Sequence, residues 1–309
     1  MRVWLPYASV EEAKMRLGSW PEGIEIDVAN DDGVPVKGSG EVVLLGLPEY
    51  SSNKVYAMAR ELPMPNLRWV QLSSAGYEHI LDNIDERLGV CNAAGVHDAG
   101  TSELGVGLAL AALRRIDRYA MDRLSHRFAP TFSDSLADKR ILIVGYGHIG
   151  SAVERRLAGF EVASITRVAR TARQAPEVHA VADLPGLVGN ADVIFLCLPG
   201  SEQTRHIVDA DLMSRMGDRT LIVNIGRGIL MDLDALLAEN GRIRAAVDVT
   251  DPEPLPHDHP LWDADFVTWT PHVGGQCSAF EPRYDALIRR QLDRLVNDQP
   301  LLNIVRSPK

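Results

Sequence analysis

Short apolar runs and amphipathic stretches alternate along almost the whole chain. In the first third the apolar runs are Arg2–Leu5, Ile24–Val28, Val42–Leu45, Trp69–Leu72 and Val90–Asn92. Runs this short, rich in Val, Ile and Leu, predict strands. Helical spacing is carried between them by Val10–Leu17 and Ser52–Glu61, and turn residues punctuate the rest at Asp31-Asp32-Gly33, Pro63-Met64-Pro65 and Ala94-Gly95. A helix start at Thr101-Ser102-Glu103 leads into a long apolar helix reaching about Arg118. Beyond Lys139 the alternation resumes, with strands at Ile141–Val144, Ser164–Val168, Val193–Leu198, Leu221–Asn224, Ala245–Val249 and Val267–Thr270. A last amphipathic helix, Glu281–Val296, has no strand of its own and is expected to return to the first lobe. Strands alternating with helices in this way specify an α/β protein with parallel sheets.

The second set of strands opens on Ile141-Leu142-Ile143-Val144-Gly145-Tyr146-Gly147-His148-Ile149-Gly150. A buried strand runs straight into G-x-G-x-x-G, and a helical segment, Ser151 to Leu157, follows. Gly145 permits the tight turn, Gly147 lets a pyrophosphate reach the backbone, and Gly150 lets the helix approach the strand. Free N–H groups at the helix start favour the phosphate charge. Six strands with intervening helices then make a complete dinucleotide-binding domain.

Composition narrows the class. The chain has 309 residues, 46% hydrophobic and 24% charged, which are ordinary globular values and long enough for two domains. A net charge of -10 argues against nucleic acid or an anionic membrane as partner. Cys91, Cys197 and Cys277 lie far apart without a C-x-x-C, so neither a disulfide framework nor a zinc site is expected, and Cys197 reads as a buried inert thiol. His257-Asp258-His259 has a metal-like spacing, but prolines flank it and no further ligand is evident, so no metal is expected. With no apolar leader and no stretch long enough to span a bilayer, the expectation is a soluble cytoplasmic protein.

An NAD site usually carries Asp or Glu about 20 residues beyond the glycines. Here Val162 to Arg173 contains no acid and three arginines, Arg167, Arg170 and Arg173. Guanidinium groups grip a 2′-phosphate where a carboxylate would repel it, so NADP(H) is favoured, with NAD(H) the other possibility. Arg167 and Arg170 rank first because they lie nearer the strand end.

Three further segments follow strands of the same sheet: Asn224-Ile225-Gly226-Arg227-Gly228, Asp248-Val249-Thr250-Asp251-Pro252-Glu253 and Thr270-Pro271-His272-Val273-Gly274-Gly275. Strand ends of an α/β sheet are where ligands bind. The planar fork of an arginine suits a carboxylate plus a neighbouring carbonyl oxygen. Histidine is the natural acid/base near neutral pH, and a carboxylate on its other nitrogen raises its pKa and fixes its tautomer.

These motifs, with VHDAGTSE before them and CLPGSEQTRHIV between them, are similar to those of the D-isomer-specific 2-hydroxyacid dehydrogenases, in the glyoxylate/hydroxypyruvate reductase-like branch. The resemblance implies two lobes, a flavodoxin-like substrate lobe (residues 1–97 and 277–309) and a Rossmann lobe (98–276). It implies that Arg227 binds the substrate carboxylate and carbonyl, that His272 is the acid/base and that Glu253 orients it. It also implies substrate-carboxylate binding by the Ser74, Ala75 and Gly76 amides. Tyr146, His148 and Ile149 would frame the pyrophosphate, while Leu198, Pro199 and Thr204 line the adenosine side. Thr101 and Ile225 would face the nicotinamide, with Asp248 on its carboxamide and Gly274 beside it. The usual acid after the second strand is replaced by Ala169-Arg170, as in NADP-using members. The long helix from Thr101 resembles the family's dimer-forming element, which implies a homodimer. The same fold also serves dinucleotide-sensing corepressors and dehydrogenases of formate or phosphite, so these are the alternatives to a reductase of small 2-oxoacids.

Overall fold

The computed structural model describes residues 1–28, 42–46, 66–77 and 80–309. The expected helix Ser52–Glu61 and the turns at Asp31-Asp32-Gly33 and Pro63-Met64-Pro65 lie outside the described residues. The chain divides into two compact units, Met1–His97 with Ser278–Lys309, and Asp98–Cys277. The second boundary falls one residue later than expected, leaving Cys277 in the second unit.

In the first unit, β1 (Arg2–Trp4), β2 (Glu25–Asp27), β3 (Val42–Gly46), β4 (Trp69–Gln71) and β5 (Gly89–Cys91) pair in parallel in the order β5-β4-β3-β1-β2. That is the flavodoxin-like 2-1-3-4-5 order. Side chains alternate across the sheet. Val3 and Leu5 pack on one face with Tyr284, Leu287 and Ile288, and Trp4 packs on the other with Val70, Leu72 and Ile80. The helix α1 (Val10–Leu17) spans the expected residues because its ends are capped. Ser9 Oγ accepts the Glu12 N–H at 3.1 Å, and Gly18, at φ 73°, turns its N–H back to the Lys14 carbonyl.

The C-terminal segment departs from expectation. Its helix, Phe280–Val296, is followed by β14 (Ile304–Arg306), which pairs antiparallel with β5 and closes that edge of the sheet. Three residues after a run of turn residues are too short a signal to register as a strand.

The second unit is doubly wound. β6 (Arg140–Val144), β7 (Ser164–Ala169), β9 (Glu177–Ala180), β10 (Val193–Leu196), β11 (Leu221–Asn224), β12 (Arg244–Val247) and β13 (Val267–Trp269) lie parallel in the order β13-β12-β11-β10-β6-β7-β9. A short β8 (Arg173–Gln174) adds antiparallel to β9. This is the Rossmann 3-2-1-4-5-6 order with a seventh strand beyond it. Ile141 and Ile143 face Val106, Ala109 and Leu113, while Leu142 and Val144 face Leu196, Leu212 and Met213. Both sheet faces are covered, which is why the strands read as continuous apolar runs.

The helix expected from Thr101 to Arg118 is two helices. α2 (Asp98–Arg114) starts three residues earlier than read, and α3 (Ile116–Leu124) follows after Arg115 turns left-handed at φ 59°. No Gly or Pro marks that break, so the apolar pattern alone ran through it. The glycine loop leads into α4 (His148–Leu157).

Candidate active site

Most candidates in the second unit follow the carboxyl ends of its strands. Gly145 follows β6, Arg170 follows β7, Leu198 lies beyond β10, Ile225 to Gly228 follow β11, Asp248 follows β12, and Thr270 to Gly274 follow β13. The sheet order reverses between β10 and β6, so the glycine loop lies at the topological switch point.

Gly145 has φ 103°, and a Cβ on it would lie 2.5 Å from the Cys197 carbonyl carbon. Only glycine fits that turn. Around Gly147 a Cβ would meet nothing within 4 Å, so the loop faces open space where a phosphate could approach. The N–H groups of His148, Ile149 and Gly150 bond to no described backbone carbonyl outside the helix, as expected of a first turn. This cradle fits a dinucleotide pyrophosphate. The His148 Nδ1 lies 3.4 Å from the Asp98 carboxylate, so its imidazole has a partner of its own. In the first unit, His97 Nε2 lies 2.8 Å from the Ser73 carbonyl oxygen.

The three arginines differ in their commitments. Arg167 sits within β7 and is ion-paired with Glu154, which holds the guanidinium charged and lowers the Glu154 pKa. Arg170 is exposed just beyond the strand. Arg173 donates from Nη2 to the Tyr146 carbonyl at 2.7 Å and lies 5.7 Å from the Tyr146 ring centre. Arg167 also lies against the Tyr146 ring, 5.6 Å from its centre, so both arginines meet that residue of the glycine loop. Thr204 Oγ1 donates to the Pro199 carbonyl at 2.9 Å, which closes the turn after Leu198. Ile225 packs against Gly105 of α2, and Thr101, 8% exposed, lies in the same helix beside Gly274. Burial pushes the Cys197 thiol up to about 12, an inert state.

The chemistry concentrates on β11, β12 and β13. His272 Nδ1 is 2.5 Å from Glu253 Oε1, with the two side chains 47% and 43% exposed. The hydrogen bond to Glu253 raises the His272 pKa, while burial and the Arg227 charge act against it. An Nδ1–H bonded to the carboxylate leaves Nε2 to carry a transferable proton. Asp248, 3% exposed, holds the loop in place: Oδ1 accepts the Thr270 hydroxyl at 2.7 Å and the Val273 N–H at 2.9 Å, and Oδ2 accepts the Gly274 N–H at 2.8 Å. His272 itself is left-handed at φ 53°, with its N–H on the Asp248 carbonyl at 2.7 Å. Asp248 therefore anchors the His272 loop, a role that sequence reading did not assign. Its signal was the strand-end position opposite the Thr270–Gly274 run.

Arg227 is half-buried and has no carboxylate partner among the described residues. Asn224 fixes its backbone, with Nδ2 donating to the Arg227 carbonyl at 2.9 Å and Oδ1 accepting the Gly226 N–H. The next residue, Gly228, lies against the Thr250 carbonyl so closely that a Cβ would stand 1.9 Å from its oxygen. That contact locks the Arg227 turn to the segment leading to Glu253.

In the first unit, Ser74 to Gly76 form a turn after β4. The Asn92 side chain donates to the Ala75 carbonyl at 2.7 Å, and the Ala93 N–H donates to the Ser74 carbonyl at 2.8 Å. The N–H groups of Ser74, Ala75 and Gly76 have no partner among the described residues, so the turn offers donors to an anion.

The family profile described as "D-isomer specific 2-hydroxyacid dehydrogenase, NAD binding domain" matches residues 106–274. A glyoxylate/hydroxypyruvate reductase A of Arabidopsis thaliana is 33% identical, over 68% of this chain and 69% of that protein. The crystal structure of TT0316 protein from Thermus thermophilus superposes with a TM-score of 0.76 at 27% identity, covering 99% of this chain and 100% of that one. An NADPH-dependent glyoxylate/hydroxypyruvate reductase of Sinorhizobium meliloti, crystallised with NADP and malonate, shares the fold with a TM-score of 0.74 at 24% identity, covering 98% and 96%. With a glycine-loop domain that matches the profile over more than half of its length, the chain belongs to the D-isomer specific 2-hydroxyacid dehydrogenase family and is an NAD(P)-dependent oxidoreductase.

Proposed function

We propose that the chain reduces small 2-oxoacids, of the glyoxylate and hydroxypyruvate class, to D-2-hydroxyacids with NADPH in preference to NADH. The observation that carries this reading is the half-buried Arg227 without a carboxylate partner among the described residues, in the same unit as a His272–Glu253 pair whose proton affinity it lowers. An unmatched guanidinium beside a proton donor suits an anionic substrate with an adjacent carbonyl.

Arg227 binds the substrate carboxylate and stabilises the negative charge that grows on the carbonyl oxygen. His272 gives that oxygen its proton from Nε2, and Glu253 stabilises the imidazolium before transfer. Asp248 keeps the His272 loop in register. Ser74, Ala75 and Gly76 are assigned to the substrate carboxylate. Gly145 to Gly150 hold the cofactor pyrophosphate, with Leu198, Pro199 and Thr204 toward the adenosine and Thr101, Ile225 and Gly274 toward the nicotinamide. The nicotinamide, when bound, supplies the hydride.

Preference for NADPH is supported by the exposed Arg170 and by Arg173 on the glycine loop, with no acid between Val162 and Arg173. The Sinorhizobium reductase, named NADPH-dependent, supports it as well. A homodimer is supported by apolar side chains left in solvent on and after α3: Met121, Leu124, Phe128 and Phe132 are 61%, 65%, 96% and 102% exposed. No described helix is long and apolar enough to cross a membrane, and a cytoplasmic setting is part of the proposal.

Initial rates of NADPH and NADH oxidation with glyoxylate, hydroxypyruvate, pyruvate and a bulkier 2-oxoacid test this reading. Turnover should favour NADPH by about tenfold or more, the scale of one lost charge-assisted contact. Substituting Arg170 by Ala should raise KM for NADPH and leave NADH kinetics unchanged. A preference for NADH, or no turnover with any of these acids, would overturn it.

A further inference from the structure

The amino ends of β6, β10, β11 and β12, opposite the glycine loop and His272, border two adjoining cavities of about 300 and 260 Å³. The two share Leu113, Asp134 and Arg219 on their walls. One carboxylate there serves three cations. Asp134 accepts a hydrogen bond from Arg219 Nη2 at 2.7 Å, with Lys139 Nζ and Arg244 Nη1 each at 3.5 Å. Other acids on the walls are already engaged. Arg140 chelates Asp192, the Thr268 hydroxyl donates to Asp117 at 2.7 Å, Arg118 faces Asp265 at 3.4 Å, and Arg242 faces Asp218 at 3.6 Å. Arg115 lines the second cavity without an ion-pair partner among the described residues. Over both cavities, Arg115, Arg118, Lys139, Arg140, Arg219 and Arg244 stand against Asp117, Asp134, Asp192, Asp218 and Asp265. A positive balance is a local reversal in a chain of net charge -10.

Two further features single this place out. The Arg244 side chain is only 18% exposed and also donates to the Ala112 carbonyl. Burial, and then the like charge of Arg219, lower its pKa. A largely buried Arg244 guanidinium held near the charge of Arg219 favours an added anion. Arg115 and Arg219 also both hold left-handed backbone, at φ 59° and 67°. Ten described non-glycine residues hold this conformation, and these two lie on the cavity walls.

We propose that these cavities form a second ligand site, binding a phosphate dianion, free or esterified, at the end of the sheet away from the cofactor. Arg219 and Arg244 supply forked donors, Lys139 a point charge, and Asp134 keeps the three cations preset and apart.

Isothermal titration of inorganic phosphate, and separately of glycerol phosphate, into the NADPH-saturated protein tests the site. Ionic strength is held constant with chloride, and bound NADPH already occupies the cofactor's own phosphate contacts. Saturable binding is expected, weakened about tenfold or more in Arg219→Ala. Arg219 is 69% exposed on its side chain, so that variant should melt like the parent and bind NADPH equally well. Arg244→Lys, which keeps the charge and loses the fork, should weaken binding too. Tighter binding of the ester would support the site as one for a phosphorylated metabolite, and tighter binding of inorganic phosphate as one for the free ion. Absence of saturable heat with both anions, or heat unchanged in both variants, would overturn the inference.

Discussion

Gly228→Ala probes the contact that ties Arg227 to the segment carrying Glu253. The added Cβ would stand 1.9 Å from the Thr250 carbonyl oxygen, 2.0 Å from its carbon and 2.6 Å from the Asp251 nitrogen. All three are backbone atoms, so no flexible side chain can give way. Ordinary contact starts near 3.4 Å, and the two backbones must therefore part by about 1.5 Å. Arg227 is the adjacent residue on one side, and Glu253 lies two residues past Asp251 on the other. A displacement of about 1 Å from productive geometry costs on the order of 100-fold in rate. We therefore expect kcat/KM for the 2-oxoacid to fall about 100-fold, equivalent to about 2.7 kcal/mol of transition-state stabilisation. Cofactor affinity, read from nicotinamide fluorescence, should change little, because Gly145 to Gly150 follow a different strand. Overpacking of this kind costs about 1–3 kcal/mol of stability, so a thermal melt must show the variant folded at the assay temperature. A folded variant with kcat/KM within about threefold of the parent would refute the claim that this contact sets the Arg227 geometry.

Glu253→Gln removes the main cause of the raised His272 pKa, so the alkaline limb of the reduction pH profile should move to lower pH. The linkage has the same sign. A raised pKa contributes stability that is complete below the ordinary histidine range and lost as pH rises through the raised value. The variant should thus show a flatter dependence of Tm on pH across that window, and an unmoved profile and Tm dependence would count against the pairing. Gly145→Ala puts an L-residue at φ 103° with its Cβ 2.5 Å from backbone, and should weaken cofactor binding by about tenfold or more in a fluorescence titration. Parent-like affinity would remove Gly145 from the cradle.

Much of this architecture is legible in the chain because its signals are local. Ile141-Leu142-Ile143-Val144 before the glycines is long and apolar enough to specify a buried strand, and Ser9 with Gly18 brackets α1 to the residue. The break at Arg115 was not legible, since apolar spacing continues through it and only tertiary packing turns that backbone left-handed. The closing strand Ile304–Arg306 was missed for a related reason: it is stabilised by pairing with Val90 and Cys91, far away in sequence. In the candidate site, residue types after strands nominate Arg227, Glu253 and His272. The partners that hold them are non-local. Nothing in sequence spacing says that Asp248 spends both carboxylate oxygens on the Thr270–Gly274 loop, or that Glu154 occupies Arg167 and leaves Arg170 and Arg173 as the available cations.

The central claim is that His272 is the proton donor in hydride reduction of a 2-oxoacid. It is tested most directly by a single-turnover stopped-flow measurement of NADPH oxidation on mixing with glyoxylate, in the parent and in His272→Ala. The account predicts a rate lower by about two orders of magnitude or more in the variant, with the NADPH dissociation constant unchanged. Equal single-turnover rates in the two proteins would contradict it.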